Sequence, residues 1–379
     1  MSIRTSALAA LLVLVPVTAM AQTSAGCGGP ADLQDGWPVA SPDETGLDPG
    51  SICTIGPRLE ALKLNVHAVV VARHGVLVYE RYFAGEDEMF GRPLGRVAYD
   101  AGTRHDLRSV TKSVTSLLVG IAADIGAIKD LDAPVFSFFP EYASLRTPEK
   151  DRITLRHLLT MSAGLAWNET GVSYKSSANS ETQMDAAADP YRYVLEQPVE
   201  QPAGELYNYS SGSTALIGAV LRKATGRPVE RFAKEYLFDP LGIRDVEWVR
   251  NANGEARAEG GLRLRPRDVA KIGQLVLEHG GRHGRQIVPA AWVDQSTAPQ
   301  IPGEGLFFYG YQWWLGRSLV DRREVDWVAG IGSGGQRLFI VPSLDMVVVV
   351  MAGLYDNPLQ GVISLGVLNR GVLPAAVGR

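Results

Sequence analysis

Ser109 and Lys112 stand three residues apart, separated by Val110 and Thr111, at the head of an apolar-striped segment. In a helix, residues three apart lie about 60° from one another around the axis, so the serine hydroxyl and the lysine amine can meet on one face. Such a pair offers nucleophilic catalysis, because a hydroxyl attacks a carbonyl once a base removes its proton and a lysine is that base only while neutral. An ordinary lysine stays protonated to about pH 10, so the chemistry asks for desolvation and neighbouring cations. Arg108 is one cation at hand. Val110, Val114, Leu117 and Ile121 recur at helical spacing and predict a stripe facing a core, with Ser109, Lys112 and Ser116 looking elsewhere. An isolated Ser-x-x-Lys is common on helix surfaces, so its weight here depends on what accompanies it.

The chain has 379 residues, 46% of them apolar, enough for a substantial core and two lobes. A net charge of −4 gives no electrostatic reason to expect nucleic acid or an anionic membrane surface as partner, and a small molecule is expected instead. Arg4, the apolar run Ala7 to Val17 and the small-x-small triplet Ala19-Met20-Ala21 read as a secretory signal over residues 1–21. That run is too short to span a bilayer, and no later stretch is long enough. The remaining 22–379 is therefore expected to be a periplasmic or secreted domain. Cys27 and Cys53 are the two cysteines, and export permits them to pair; two free thiols are the alternative. Cys27 as a lipid anchor is disfavoured by Ser24, where a large aliphatic residue would be expected.

Val66 to Arg73 and Val76 to Phe83 read as strands joined by the two-residue turn His74-Gly75, after a short helix near Arg58 to Leu64. From Ser109 to about Arg250 the pattern is mostly helical, with a second apolar helix from Thr214 to Lys223. Ser173 to Asp189 is polar and weakly periodic and is expected to form a mobile loop over a site. Arg267 to His279 and Leu359 to Asn369 read as helices, and Val325 to Ala329, Arg337 to Val341 and Met346 to Ala352 as strands. Strands at both ends around a helical middle predict an α+β fold, an α/β sandwich. Its antiparallel sheet is built from both chain ends and flanked by helices, with a mostly helical lobe, roughly 110–250, inserted in it.

Three segments follow the tetrad in order: Ile153 to Leu165 (ITLRHLLTMSAGL), Gly204 to Ser211 (GELYNYSS) and Gly332-Ser333-Gly334-Gly335-Gln336. Together with Ser109 to Lys112 they resemble the serine beta-lactamase and penicillin-binding-protein superfamily over roughly Trp37 to Leu368. The likeness is nearest to the class C-like branch that also holds esterases and 6-aminohexanoate-dimer hydrolases. The resemblance implies Ser109 as the acylated serine, Lys112 as its activator and Tyr209 as the tyrosine that shares proton transfer. Ser211 stands in place of the family's asparagine, and Tyr207 leaves a register shifted by two open. It further implies that Ser333, Gly335 and Gln336 line the cleft, with a backbone N–H near Gln336 joining that of Ser109 as an oxyanion hole. Ser333 is neutral where many members carry a cation for the substrate carboxylate, which favours an ester or small amide over penicillins and cephalosporins.

Other chemistries find less support. Gly330 to Gly335 satisfies Gly-x-Gly-x-x-Gly, but a strand rather than a helix is expected after it, which removes the dinucleotide reading. There is no Gly-x-Ser-x-Gly elbow, the six histidines form no His-Glu-x-x-His, and His157 in an apolar run reads as structural. Neither a metal nor a cofactor is expected. Trp167, Tyr174, Phe308, Trp313 and Trp314 are candidate pocket walls. The expected function is acyl transfer to water by an exported serine hydrolase; a beta-lactamase or D,D-peptidase, or a non-catalytic binding or sensor domain of the same fold, are the rivals.

Overall fold

Val66–Arg73 (VHAVVVAR) and Met346–Ala352 (MVVVVMA) are β-branched runs buried along almost their whole length, as strands must be when both faces of a sheet are covered. They pair antiparallel, with Val69 opposite Val350 and Val71 opposite Val348, and this seam joins the two ends of the chain. The computed structural model describes residues 27–378, so the secretory signal inferred for 1–21 lies outside the described residues.

Around the seam the sheet has eight antiparallel strands. The order is Ile301–Pro302, Phe308–Tyr309, Trp314–Val320, Arg323–Gly332, Gln336–Val341, Met346–Ala352, Val66–Arg73, Val76–Tyr82. His74 and Gly75 have φ of 54° and 75°, the left-handed pair that a two-residue hairpin turn needs. Alternate residues point to opposite layers. Val70, Val349 and Leu338 pack with the helices Val110–Asp124, Ser211–Thr225 and Pro266–Leu277, while Val69, Val348 and Phe339 pack with the terminal helical segments around Ile52, Val372 and Leu373. The α+β architecture with a sheet assembled from both ends is thus as expected.

Three edge strands were not foreseen. Trp314–Val320 is joined to Arg323–Gly332 by Asp321 and Arg322, at φ of 48° and 64°, a turn without the glycine or asparagine that would announce it. A separate hairpin, Ala84–Met89 with Arg92–Ala98, is likewise polar and short of apolar signal. Within the expected 173–189 loop, Ser180–Ala186 is a helix: Asn179 caps it through the N–H groups of Glu181 and Thr182, and Met184 anchors it in the core.

The helix Val110–Asp124 is buried on every side from Val110 through Ala122, so the face that carries Lys112 and Ser116 is covered as well as the apolar stripe. It meets the helix Ser211–Thr225 on one side and the strand Arg323–Gly332 on another. Two glycines permit the second contact. A Cβ on Gly330 would lie 3.0 Å from Val110 Cγ1, and one on Gly332 would lie 2.5 Å from the Leu107 carbonyl oxygen. The glycine-rich run therefore serves close approach of a strand to the start of a helix, and the segment after it is a strand, Gln336–Val341.

Candidate active site

Ser109 is the N-cap of the buried helix, and the residue before it, Arg108, has φ of 48°, a conformation that side chains other than glycine adopt at a cost. Contacts hold it there. Its guanidinium lies 4.3 Å from the Phe90 ring centre and 4.6 Å from that of Tyr355, and it pairs with Glu88 at 3.1 Å and Asp106 at 3.7 Å. Arg108 is thus not the free cation beside Lys112 that the sequence offered, because two carboxylates already match its charge.

Lys112 Nζ lies 3.0 Å from Ser109 Oγ, 3.0 Å from Ser211 Oγ and 2.7 Å from the Glu259 carbonyl oxygen. An ammonium commits its three N–H groups to these three acceptors. A neutral amine keeps two, to Ser211 and Glu259, and turns its lone pair to the Ser109 hydroxyl. One geometry therefore accommodates both protonation states without rearrangement.

Tyr209 precedes the helix Ser211–Thr225, whose N-cap, Ser210, accepts the Ser213 N–H at 3.1 Å. Its ring centre is 5.2 Å from Lys112 Nζ and 5.9 Å from that of Trp314, and its hydroxyl lies near the Ser109 side chain. Burial, then the nearby Glu169 carboxylate, push the phenol well above its ordinary pKa, so it stays protonated. Tyr207 instead packs between Tyr309 and Trp314, and of the two tyrosines Tyr209 is the one that lines the cleft.

Behind Lys112 lies a charged layer that the sequence did not reveal. Glu169 accepts hydrogen bonds from Trp167 Nε1 at 2.7 Å, the Tyr174 hydroxyl at 3.0 Å, the Ser211 N–H at 2.8 Å and the Ser211 hydroxyl at 2.7 Å. Burial first, and then Glu181, push its carboxyl up to about 7. Burial also pushes Glu259 up to about 7, against the pull of Arg257, and Asp185 up to about 6. Arg257 ties this layer together, at 3.0 Å from Glu181, 2.7 Å from Asp185 and 3.3 Å from Glu259. The result is a chain of contacts from Ser109 Oγ through Lys112 Nζ and Ser211 Oγ to Glu169. These acids come from separate segments, and their signature is burial, which the flanking residues of a glutamate do not announce.

Two carboxylate or histidine groupings have ligand atoms within 4.8 Å of one another, Glu181 with Asp185 and Glu259, and His67 with Asp87 and His105. In the first, Arg257 already contacts all three acids. In the second the two rings bond each other at 2.8 Å, while Asp87 accepts from Tyr99 and Tyr355.

Ser109 opens on a cleft of about 550 Å³ whose walls include Tyr209, Trp314, Tyr174, Ser333 and Arg337. Of the other expected lining residues, Ser211 is fully buried and faces Lys112 and Glu169 rather than the cleft. Gly335 and Gln336 do not line it either. The Gln336 side chain donates to the Ala352 carbonyl at 2.6 Å and accepts the Ala352 N–H at 3.0 Å, stitching two strands. Among the aromatics, Trp314 and Tyr174 line the cleft, Trp167 holds Glu169, Trp313 is core, and Phe308 is half exposed away from the cleft. His157 is structural, its Nδ1 accepting the Thr154 N–H at 3.2 Å in a reciprocal helix cap.

Ser109, with Lys112 in contact, is set between helices and an antiparallel sheet. Residues 54–358 match the Beta-lactamase family model, and the chain belongs to that family, within the serine beta-lactamase and penicillin-binding-protein superfamily. Membership places it among the serine hydrolases. It is 28% identical over 280 residues to the 6-aminohexanoate-dimer hydrolase of Paenarthrobacter ureafaciens, covering 69% of each chain. It is 30% identical over 189 residues to esterase EstB of Burkholderia gladioli, covering 48% of this chain and 46% of that one. The octameric penicillin-binding protein homologue from Pyrococcus abyssi has the same fold, with a TM-score of 0.62 at 19% identity over 86% of this chain and 78% of that one.

Proposed function

We propose that this chain is an exported hydrolase that cleaves an ester or a small amide through an acyl-enzyme on Ser109. The observation that carries the reading is the contact of Ser109 Oγ with Lys112 Nζ at 3.0 Å, at the cleft wall and beside the protonated Tyr209. Neutral Lys112 takes the Ser109 proton as Oγ attacks the carbonyl carbon. The tetrahedral oxyanion is held by the N–H of Ser109 and, in place of the expected donor near Gln336, by that of Ser333, a residue that lines the cleft where Gln336 does not. Tyr209 gives its proton to the leaving alcohol or amine and regains one from the Lys112 ammonium. Water then attacks the acyl carbonyl, its proton passing to the same pair, and the acid leaves with Ser109 restored.

Export is supported by Cys27 and Cys53, which are disulfide-bonded with Cα atoms 5.4 Å apart. The similarity to a 6-aminohexanoate-dimer hydrolase and an esterase supports an amide or ester as the bond cleaved.

Intact mass and release kinetics with p-nitrophenyl butyrate and a chromogenic cephalosporin, on wild type, Ser109→Ala and Lys112→Ala, test the proposal. Turnover of the ester that disappears in Ser109→Ala, with little cephalosporin hydrolysis, is expected. The opposite preference would make it a beta-lactamase. No turnover and no added acyl mass with either probe would make it a binding domain.

A further inference from the structure

We propose that His67, Asp87 and His105 form a zinc site, buried beside the segment that leads into Ser109 and outside the lining of the cleft. The outer partners of the two rings fix where their protons sit. Asn65 Nδ2 donates to the carbonyls of Glu86 at 2.8 Å and Gly353 at 3.0 Å, which turns Oδ1 toward His67 Nε2 at 3.1 Å. An amide oxygen only accepts, so His67 Nε2 carries a proton. His105 Nδ1 faces the Asp106 carbonyl oxygen at 2.9 Å and carries one for the same reason. In neutral rings the remaining nitrogens, His67 Nδ1 and His105 Nε2, are therefore both lone pairs, and they face each other at 2.8 Å. That contact needs a cation between them, either a proton or a metal ion.

A third donor favours the metal ion. Asp87 Oδ2 lies 3.9 Å from His105 Nε2, and its other oxygen accepts from the Tyr355 hydroxyl at 3.0 Å. Each of the three side chains is thus oriented by a partner on its far atom, as metal ligands are. Both rings are fully buried, where a lone imidazolium is costly. Two imidazoles and a carboxylate suit zinc, whose bonds of about 2.0–2.2 Å at tetrahedral angles set ligand atoms about 3.3 Å apart. The separations of 2.8 and 3.9 Å bracket that value, so small shifts of the side chains admit the ion. Glycines make room for the outer partners: a Cβ on Gly85 would lie 2.5 Å from His67 Nε2, and one on Gly353 would lie 2.5 Å from Asn65 Nδ2. His67 lies on a central strand, Asp87 on the hairpin strand Ala84–Met89, and His105 four residues before Ser109. The ion therefore ties the sheet and the hairpin to the approach of the nucleophile.

The test uses zinc ion on the untagged chain, stripped with dipicolinate and dialysed. Wild type is expected to take up one zinc per chain, and its Tm to rise by about 3–5 °C when free zinc stands at a hundred times its dissociation constant. Cobalt(II) in place of zinc should give the visible absorption of a tetrahedral site. Asp87→Asn and His105→Gln should weaken zinc affinity by about 100-fold or more, and Tyr355→Phe, which keeps the ring beside Arg108 and removes only the hydroxyl behind Asp87, by about tenfold. His279→Ala, which breaks the exposed pair with Asp294, should leave it unchanged. Should the ligand variants not fold, Tyr355→Phe and zinc-edge X-ray absorption of wild type decide: two imidazole ligands support the site and fewer refute it. If stripped wild type binds neither zinc nor cobalt, the two rings share a proton instead and the site is refuted. Zinc uptake that disappears in His279→Ala, or that is undiminished in Asp87→Asn, His105→Gln and Tyr355→Phe, refutes it as well.

Discussion

Ser211→Ala separates two roles for a residue that the sequence placed on the substrate and the structure places behind Lys112. The substitution removes one oxygen from a fully buried site and introduces no larger group. It deletes the 3.0 Å contact with Lys112 Nζ, the 2.7 Å bond to Glu169 Oε1 and the 3.1 Å contact with Glu181 Oε2, while the Ser211 N–H still donates to Glu169 at 2.8 Å. Each lost contact involves an ionisable partner, and such bonds contribute about 1.5–3 kcal/mol. If losing the Lys112 contact costs that much orientation in the transition state, kcat falls by about 10- to 100-fold. KM should stay within about twofold, because the hydroxyl does not face the cleft. The wild-type pH profile carries a further sign. Ionised Glu169 accepts the Ser211 proton and leaves the Lys112 lone pair free for Ser109, whereas protonating Glu169 removes that shorter bond and leaves the hydroxyl shared between the amine and the 3.1 Å contact with Glu181. The kcat of the wild type should therefore rise through about pH 7, where Glu169 titrates, and this limb should flatten in Ser211→Ala. Steady-state kinetics on p-nitrophenyl butyrate from pH 5.5 to 9 give both readouts. A rise in KM with kcat and its pH profile intact would refute the relay and return Ser211 to the substrate.

Two further outcomes follow from the same geometry. Burial raises the Glu259 carboxyl to about 7 in the folded chain, so the proton is bound more tightly there than in the unfolded chain. The stability it contributes is full below the ordinary carboxyl pKa and is lost as pH rises through about 7. Thermal melting of Glu259→Gln should therefore gain on wild type between pH 5 and pH 8, and a difference in Tm that is constant with pH would contradict the assignment. Gly332→Ala puts a Cβ 2.5 Å from the Leu107 carbonyl oxygen, forcing the strand away from the start of the nucleophile helix. A loss of about 1–3 kcal/mol in denaturant unfolding and a kcat/KM lowered by at least about tenfold are expected, and an unaltered enzyme would show that this close approach does not position Ser109.

The sequence by itself determined the parts whose signal is local. The Ser109–Lys112 spacing defines a shared helix face wherever that helix packs; Val66 to Arg73 and Met346 to Ala352 are too uniformly β-branched to be other than central strands; His74-Gly75 marks the turn after the first of them. Four ordered segments were enough to recognise the superfamily. Tertiary structure decided what depends on partners distant in the chain. Arg108 looked like a cation for Lys112 until Glu88 and Asp106 were folded against it. Ser211 turned inward because Glu169 and Lys112 lie 42 and 99 residues away in the chain yet bond the same hydroxyl. Gln336 was lost to the cleft and Arg337 gained by it because successive residues of a strand point to opposite faces, and only the paired neighbours fix which face meets the serine. Charge burial obeys the same rule: whether a glutamate is solvated or holds a proton near neutrality is set by what the whole chain packs around it.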